Sequence, residues 1–264
     1  MNAGELNLEK EQLTEKKYWD NHWDKVRLPA IIEPTTKHPI NKEVIRVFEN
    51  FLPKKKLSAV EIGGAPGQYI AYLNKYHGYK ASVIEYSDTG CRKTKENFDL
   101  LGLDVNVYEQ DFFANFSHIP LFDVVLSMGF IEHFNDLDDV FRRHVNLLQK
   151  GGFLVVGVPN FRGINQKVLA RTAPGMLSRH NLEAMDLKNW STLETTYGLI
   201  PLFKGYIGGF EPKNLKRCEH RTLKNLSIRY FFKTLHTLMS PFAFLRKYNS
   251  PAWSAYLLGI YKLP

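Results

Sequence analysis

Cysteine is scarce in this chain, with only Cys91 and Cys218 in 264 residues. Two thiols are too few for an all-cysteine zinc site and form no repeated disulfide pattern, so a reducing, cytoplasmic setting is expected. Long apolar runs are missing as well. An ordinary transmembrane helix needs roughly 18–20 such residues in a row, so none is expected. The first residues include Glu5, Glu9, Lys10, Glu11 and Glu15 rather than the basic-then-apolar order of a secretory signal. Acids are rare at the other end. Residues 204–264 hold eleven Lys/Arg against two acids, +9 of a total of +8, which leaves residues 1–203 at −1. A basic excess confined to one segment weakens any reading of the molecule as a nucleic-acid clamp. It leaves RNA, an anionic lipid surface or a protein as partners of that segment alone. Several chemistries lack their signatures: no pair of histidines has H-x-x-x-H spacing on a clear helix, GAPGQY lacks a P-loop's Lys-Ser/Thr ending, and Ser127 is outside any G-x-S-x-G. No metal is expected.

What is present is an alternation. After an aromatic, charged approach over 1–40 that contains YWDNHW at 18–23, apolar positions Val44, Ile45, Val47, Phe48 and Phe51 predict a helix from Asn41 to near Pro53. Five strands are then predicted at LSAVEIGG (57–64), ASVIEYS (81–87), DVNVYEQD (104–111), LFDVVLSM (121–128) and FLVVGVP (153–159), with helical stretches between them. Short strands alternating with helices imply a largely parallel α/β sheet wound on both faces. Residues 160–181 break the rhythm at Pro174 and Gly175, 182–198 suit a helix, and two last strands are expected near 199–209 and 254–263. Residues 41–264 are expected to form one domain with 160–181 and 213–250 as accessory insertions. On a helix, Leu223, Leu226, Ile228, Phe231, Phe232, Leu235 and Met239 make an apolar side, with Asn225, Arg229, Lys233 and His236 opposite. That side either covers the sheet or, over 221–247, meets a membrane or a protein.

The densest local signal is VEIGGAPGQY at 60–69. Gly63, Gly64 and Gly67 permit a tight strand-to-helix turn and close approach of a ligand to backbone N–H groups. Glu85 ends the next strand, where a carboxylate suits ribose hydroxyls. Alone, this pair leaves nicotinamide cofactors open. Together with QDFF (110–113), FDVVLSMGFIEHF (122–134) and LLQKGGFLVVGVPN (147–160), however, residues 57–160 resemble the class I S-adenosylmethionine-dependent methyltransferases of the small-molecule type. The resemblance implies a seven-stranded Rossmann-like fold with order 3-2-1-4-5-7-6. It also implies S-adenosyl-L-methionine as cofactor, with Glu61 near its amino-acid portion, Gly63, Gly64, Ala65 and Gly67 around it, Glu85 and Tyr86 at the ribose, and Asp111 and Phe112 at the adenine. Ser127 and Met128 complete that set. Ala65 stands where glycine is common, so its backbone must avoid a conformation that only glycine adopts.

Methyl transfer asks mainly for alignment, and for a base only if the acceptor stays protonated. Glu132 and His133, just past the fourth strand, are the candidate catalytic pair, with His133 the better proton acceptor by its ordinary pKa. Tyr18, Trp19, His22 and Trp23 are candidates for a lid, and His180 for an acceptor contact. The expected activity is methylation of a nucleophile on a small organic acceptor. Methylation of RNA or protein through the basic region, and a noncatalytic cofactor-fold module, are the alternatives.

Overall fold

The computed structural model describes residues 12–212, 215, 217–219, 222–239 and 248–264. The described chain opens with α1 (Lys16–Asp24) and α2 (Pro39–Phe51). Then come β1 (Ser58–Ile62), α3 (Gln68–Tyr72) with a π-helical continuation over Leu73–His77, β2 (Lys80–Glu85), α4 (Asp88–Leu101), β3 (Val105–Glu109) and β4 (Phe122–Met128). A 3-10 turn (Ile131–His133), α5 (Leu137–Val145) and β5 (Leu148–Pro159) follow. The excursion after β5 contains α6 (Ile164–Thr172), α7 (Pro174–Leu177), a second 3-10 turn (Leu182–Met185) and α8 (Leu187–Thr196). The chain then forms β6 (Ile200–Phe210), α9 (Leu223–Met239) and β7 (Ser254–Lys262).

The strands make one seven-stranded sheet, β3-β2-β1-β4-β5-β7-β6. The pairs from β3 through β5 are parallel, whereas β7 runs antiparallel to both β5 and β6. Strand side chains alternate between faces, and each face buries its own core. Val60, Ile62, Val125, Leu154 and Val156 point toward Phe141 of α5 and Trp190 of α8. Ala59, Val83, Val124, Leu126 and Val155 point toward Phe48 of α2, Tyr72 of α3 and Phe98 of α4. The β6–β7 ladder carries register shifts between Pro201 and Phe203 and between Ile207 and Phe210.

Four elements depart from expectation, β5 among them because it begins at Leu148 rather than Phe153. α2 starts at Pro39 rather than Asn41, because proline fits the first helical position, where its missing N–H costs nothing. The YWDNHW approach is a helix, on which Tyr18 stacks with His22 and Trp19 with Trp23, each pair four residues apart on one face. On α9, Asn225, expected on the outward polar side, is buried together with Phe232, while Leu223, Tyr230, Phe231 and Leu238 are exposed. Buried Glu211, just past β6, pairs with His236 Nδ1 at 3.0 Å, which turns a mixed stripe of the helix inward. The Met239 side chain and residues 240–247 of the expected apolar segment lie outside the described residues.

Glu49 joins α2 to α3. It accepts from the Tyr72 hydroxyl at 2.7 Å, lies 3.1 Å from His77 Nε2 and pairs with Lys54. Burial would raise its pKa, but the bonds from Lys54, Tyr72 and His77 outweigh burial and hold it at about 2. A depressed carboxylate pKa stabilises the fold above the unfolded value near 4.5, and that contribution is lost as pH falls toward 2. Thermal melts should therefore show a clear deficit for Glu49→Gln at pH 7 that narrows between pH 5 and 3. A gap independent of pH would contradict the assignment.

Candidate active site

The site lies at the carboxyl ends of β1, β2 and β4, where open α/β sheets take ligands. At the end of β1 the Gly63 N–H donates to Ile84 O at 2.9 Å, and Gly63 has φ +61°, the left-handed region that favours glycine. A Cβ on Gly63 would stand 2.3 Å from the Phe130 ring, and one on Gly64 would stand 2.2 Å from the Glu61 side chain. The turn is thus a cradle that side chains would fill. Ala65 lies outside the left-handed region, so its methyl group adds no strain. Glu61 is buried beneath the turn and accepts from the Ile70 N–H at 3.1 Å, pinning the start of α3. Burial pushes its pKa up to about 8, against the opposing Ile70 bond.

Glu85, 3% exposed, ends β2 and accepts from the Ser87 N–H at 2.9 Å. Burial raises its pKa to about 7, and the N–H groups of Ser87, Tyr86 and Ala65 only partly offset that. Tyr86, Asp111, Phe112 and Phe130 line the same narrow pocket. Asp111 Oδ1 accepts from the Phe113 N–H at 2.8 Å, and Phe112 meets the Phe130 ring edge-on at 5.2 Å. Two expected cofactor residues do not line the cavities. Ser127 is turned into the core, where its hydroxyl lies 3.0 Å from His144 Nε2. The His144 Nδ1–H is taken by Val140 O at 2.7 Å, so Ser127 donates to Nε2. Alternation along β4 explains this, since Met128, the next residue, does face the cavity. Gly67 caps α3 against Phe98.

Beside this pocket, and sharing Trp19, Trp23, Gly63, Gly129 and His133 with it, is a cavity of about 740 Å³. Glu61, Gly64, Met128, Glu132, Phe161, His180, Arg217 and Tyr256 are among its walls. α1 lies across both spaces. Its Asp20 accepts from the Ser87 hydroxyl at 2.5 Å and the Thr89 N–H at 3.2 Å, and Lys16 pairs with Asp88 at 2.7 Å. At the other side the Leu13 N–H donates to His133 O at 2.8 Å. Trp19 meets the His133 ring edge-on at 4.9 Å, and the Arg179 guanidinium sits over Tyr18.

Glu132 and His133 are both buried, and the excursion brings His180 to them, with 4.6 Å between the two imidazole centroids. Arg179 O accepts from His133 Nδ1–H at 2.9 Å, and Met176 O from His180 Nδ1–H at 2.6 Å. Burial, reinforced by the charges of His180 and Arg179, drives the His133 pKa down to about 3, which keeps its ring neutral near pH 7. Burial takes Glu132 the other way, to about 8.

Sequence reasoning passed over Asn181, which stitches excursion to loop by donating its N–H to Glu132 O at 2.6 Å and its side-chain amide to Phe134 O at 2.9 Å. It also missed Phe130, Arg217 and Tyr256. Tyr256 reaches the site because β7 pairs it with Pro159, a juxtaposition with no local signature.

The donor set fits a nucleoside sulfonium. A Cβ-free cradle lies between the buried Glu85 carboxylate at the end of β2 and an apolar slot bordered by Asp111. Residues 60–156 match the family model described as a methyltransferase domain. No curated protein matches the sequence. Among solved structures, coclaurine N-methyltransferase bound to N-methylheliamine and SAH is 10% identical, with 94% of this chain and 86% of that one covered at TM-score 0.58. The geranyl diphosphate C-methyltransferase of Streptomyces coelicolor A3(2), in complex with Mg2+, geranyl diphosphate and S-adenosyl-L-homocysteine, is also 10% identical, over 94% and 98%, at 0.58. The [4+2]-cyclase SpnF is 15% identical over 84% and 81% at 0.56. At these identities the structural likenesses carry the fold alone. Taken with the matched domain and the strand order, they give the chain the class I S-adenosylmethionine-dependent methyltransferase fold, with a methyltransferase domain over residues 60–156.

Proposed function

We propose that the acceptor is a small organic molecule held in the cavity between α1 and the excursion after β5. The observation that carries this reading is the cavity itself. About 740 Å³ falls in the range of roughly 300–1,000 Å³ typical of small-molecule sites, and its walls mix aromatic rings with a few polar groups. The neighbours named above act at nitrogen in one case and at carbon in the other, so the fold accommodates either acceptor atom.

In this reading the sulfonium supplies the activated methyl group, and the protein positions and desolvates. Gly63, Gly64 and Ala65 cradle the cofactor's amino-acid end above Glu61. Glu85 and Tyr86 hold the ribose, Asp111 and Phe112 flank the adenine, and Met128 lines the path to the acceptor. Ser127 and Gly67 support the site from behind. Residues 1–40 are read as a lid on a single domain of 41–264, with Tyr18, Trp19, His22 and Trp23 closing the cavity. Trp23 Nε1, buried with no protein partner, is a donor left for a bound molecule. Among the described residues no helix is long and apolar enough to cross a membrane. Cys91 and Cys218 form no disulfide, which supports a cytoplasmic setting.

The test is to incubate purified protein with methyl-labelled S-adenosylmethionine and a cell extract separated into metabolite, RNA and protein fractions. The label is expected in a metabolite, identified by mass. Label recovered in RNA or protein, with steep salt dependence, would replace this reading with one centred on the basic C-terminal segment.

A further inference from the structure

We propose that Glu132, His133 and His180 form a binding site for one divalent transition-metal ion on the acceptor side of the cavity. Their ligand atoms all lie within 4.8 Å of one another. Three independent features prepare them. Each imidazole gives its Nδ1–H to a main-chain carbonyl, His133 to Arg179 O and His180 to Met176 O. That fixes both tautomers with a bare Nε2 lone pair, the second-sphere arrangement that metal-bound histidines use. Glu132 is 1% exposed, and its Oε2 is buried with no hydrogen-bond partner. Leaving a buried carboxylate oxygen unbonded is costly, and a cation satisfies it. Finally, the three residues come from two segments locked together by the Asn181 bonds, so the set is built by the fold rather than by one flexible loop.

Two imidazoles and one carboxylate favour a first-row ion such as zinc or cobalt over magnesium or calcium, which prefer oxygen ligands. Ligands at about 2.1 Å from an ion stand roughly 3–3.5 Å apart, so loading draws the three atoms inward. Arg179 and Arg217 also border the cavity and oppose a cation there, though Arg179 is paired with Glu219 at 3.6 Å. An ion on only three protein ligands keeps positions open for an oxygen or nitrogen of the acceptor.

The site is tested without turnover, so the outcome is independent of the acceptor's identity. The full chain is stripped with a chelator and titrated with CoCl2, then ZnCl2, then MgCl2, following cobalt absorption and metal content after dialysis. One equivalent of cobalt is expected, displaced by zinc and not by magnesium. Glu132→Gln and His180→Ala should each weaken cobalt binding by more than about 100-fold, beyond what loss of an outer partner costs, while exposed His118→Ala leaves it unchanged. Circular dichroism and S-adenosylhomocysteine affinity report whether each variant is folded. Absence of saturable binding, or binding that survives both ligand variants in folded protein, would overturn the proposal.

Discussion

Replacing Glu85 by alanine should lower S-adenosylhomocysteine affinity about 100-fold or more, with a melting temperature that gains on the parent's as pH rises. Hydrogen bonds to a charged group contribute about 1.5–3 kcal/mol each, and in the proposed role Glu85 would accept from two ribose hydroxyls. The stability half of the expectation follows from burial. Glu85 has its pKa raised to about 7, so the folded state favours the protonated form. A raised carboxylate pKa means stability that is present below the unfolded value near 4.5 and lost as pH rises through about 7. Removing the group relieves that cost but strands the N–H groups of Ser87, Tyr86 and Ala65, so what is expected is a trend, the variant's melting temperature gaining on the parent's from pH 6 to pH 8. Titration calorimetry with S-adenosylhomocysteine, beside melts at both values, separates the effects. Unchanged affinity would remove Glu85 from the cofactor site, and equal losses of affinity and stability would recast it as structural.

The second large effect is expected at Trp190. This residue is fully buried on α8, and its indole N–H donates to Ala184 O at 2.8 Å. Trp190→Ala removes the largest fully buried side chain of the excursion, a change that typically costs about 3–5 kcal/mol, and it strands the Ala184 carbonyl. At about 2–4 °C per kcal/mol for a chain of this general size, the melting temperature should fall by roughly 10 °C. The excursion also carries His180 and Arg179 against His133, so acceptor methylation should decline more than cofactor affinity does. Urea unfolding checks the stability, and the ratio of turnover to S-adenosylhomocysteine binding checks the positional effect. A loss confined to stability would show that the site tolerates a loosened excursion.

Much of this was legible in the residues. The alternation of Val60, Ile62, Val125 and Leu154 with their neighbours forecasts strands between two cores, and Gly63 with Glu85 forecasts the cofactor end. The acceptor end was less readable because its parts meet only in three dimensions. His180 reaches His133 through a break at Pro174, and Tyr256 arrives on an antiparallel strand at the end of the described chain. Ser127, expected at the cofactor, faces the core instead, because a motif names positions without naming the face of β4 on which each falls. Helix α9 misled for a related reason: its apolar residues outnumber the places available to bury them, and Asn225 and Phe232 face inward while Leu223, Tyr230, Phe231 and Leu238 do not.

The outermost strands have a bearing on self-association. An exposed sheet edge offers unpaired backbone groups to any passing strand. β6 forms one such edge of this sheet, and it carries Pro201, which has no N–H to donate, Lys204, and two breaks in its register with β7. At the opposite edge, β3 is five residues long and ends in Glu109. A second copy of the chain would thus meet short, charged or irregular borders on both sides, and the sheet is protected against growing from one molecule into the next.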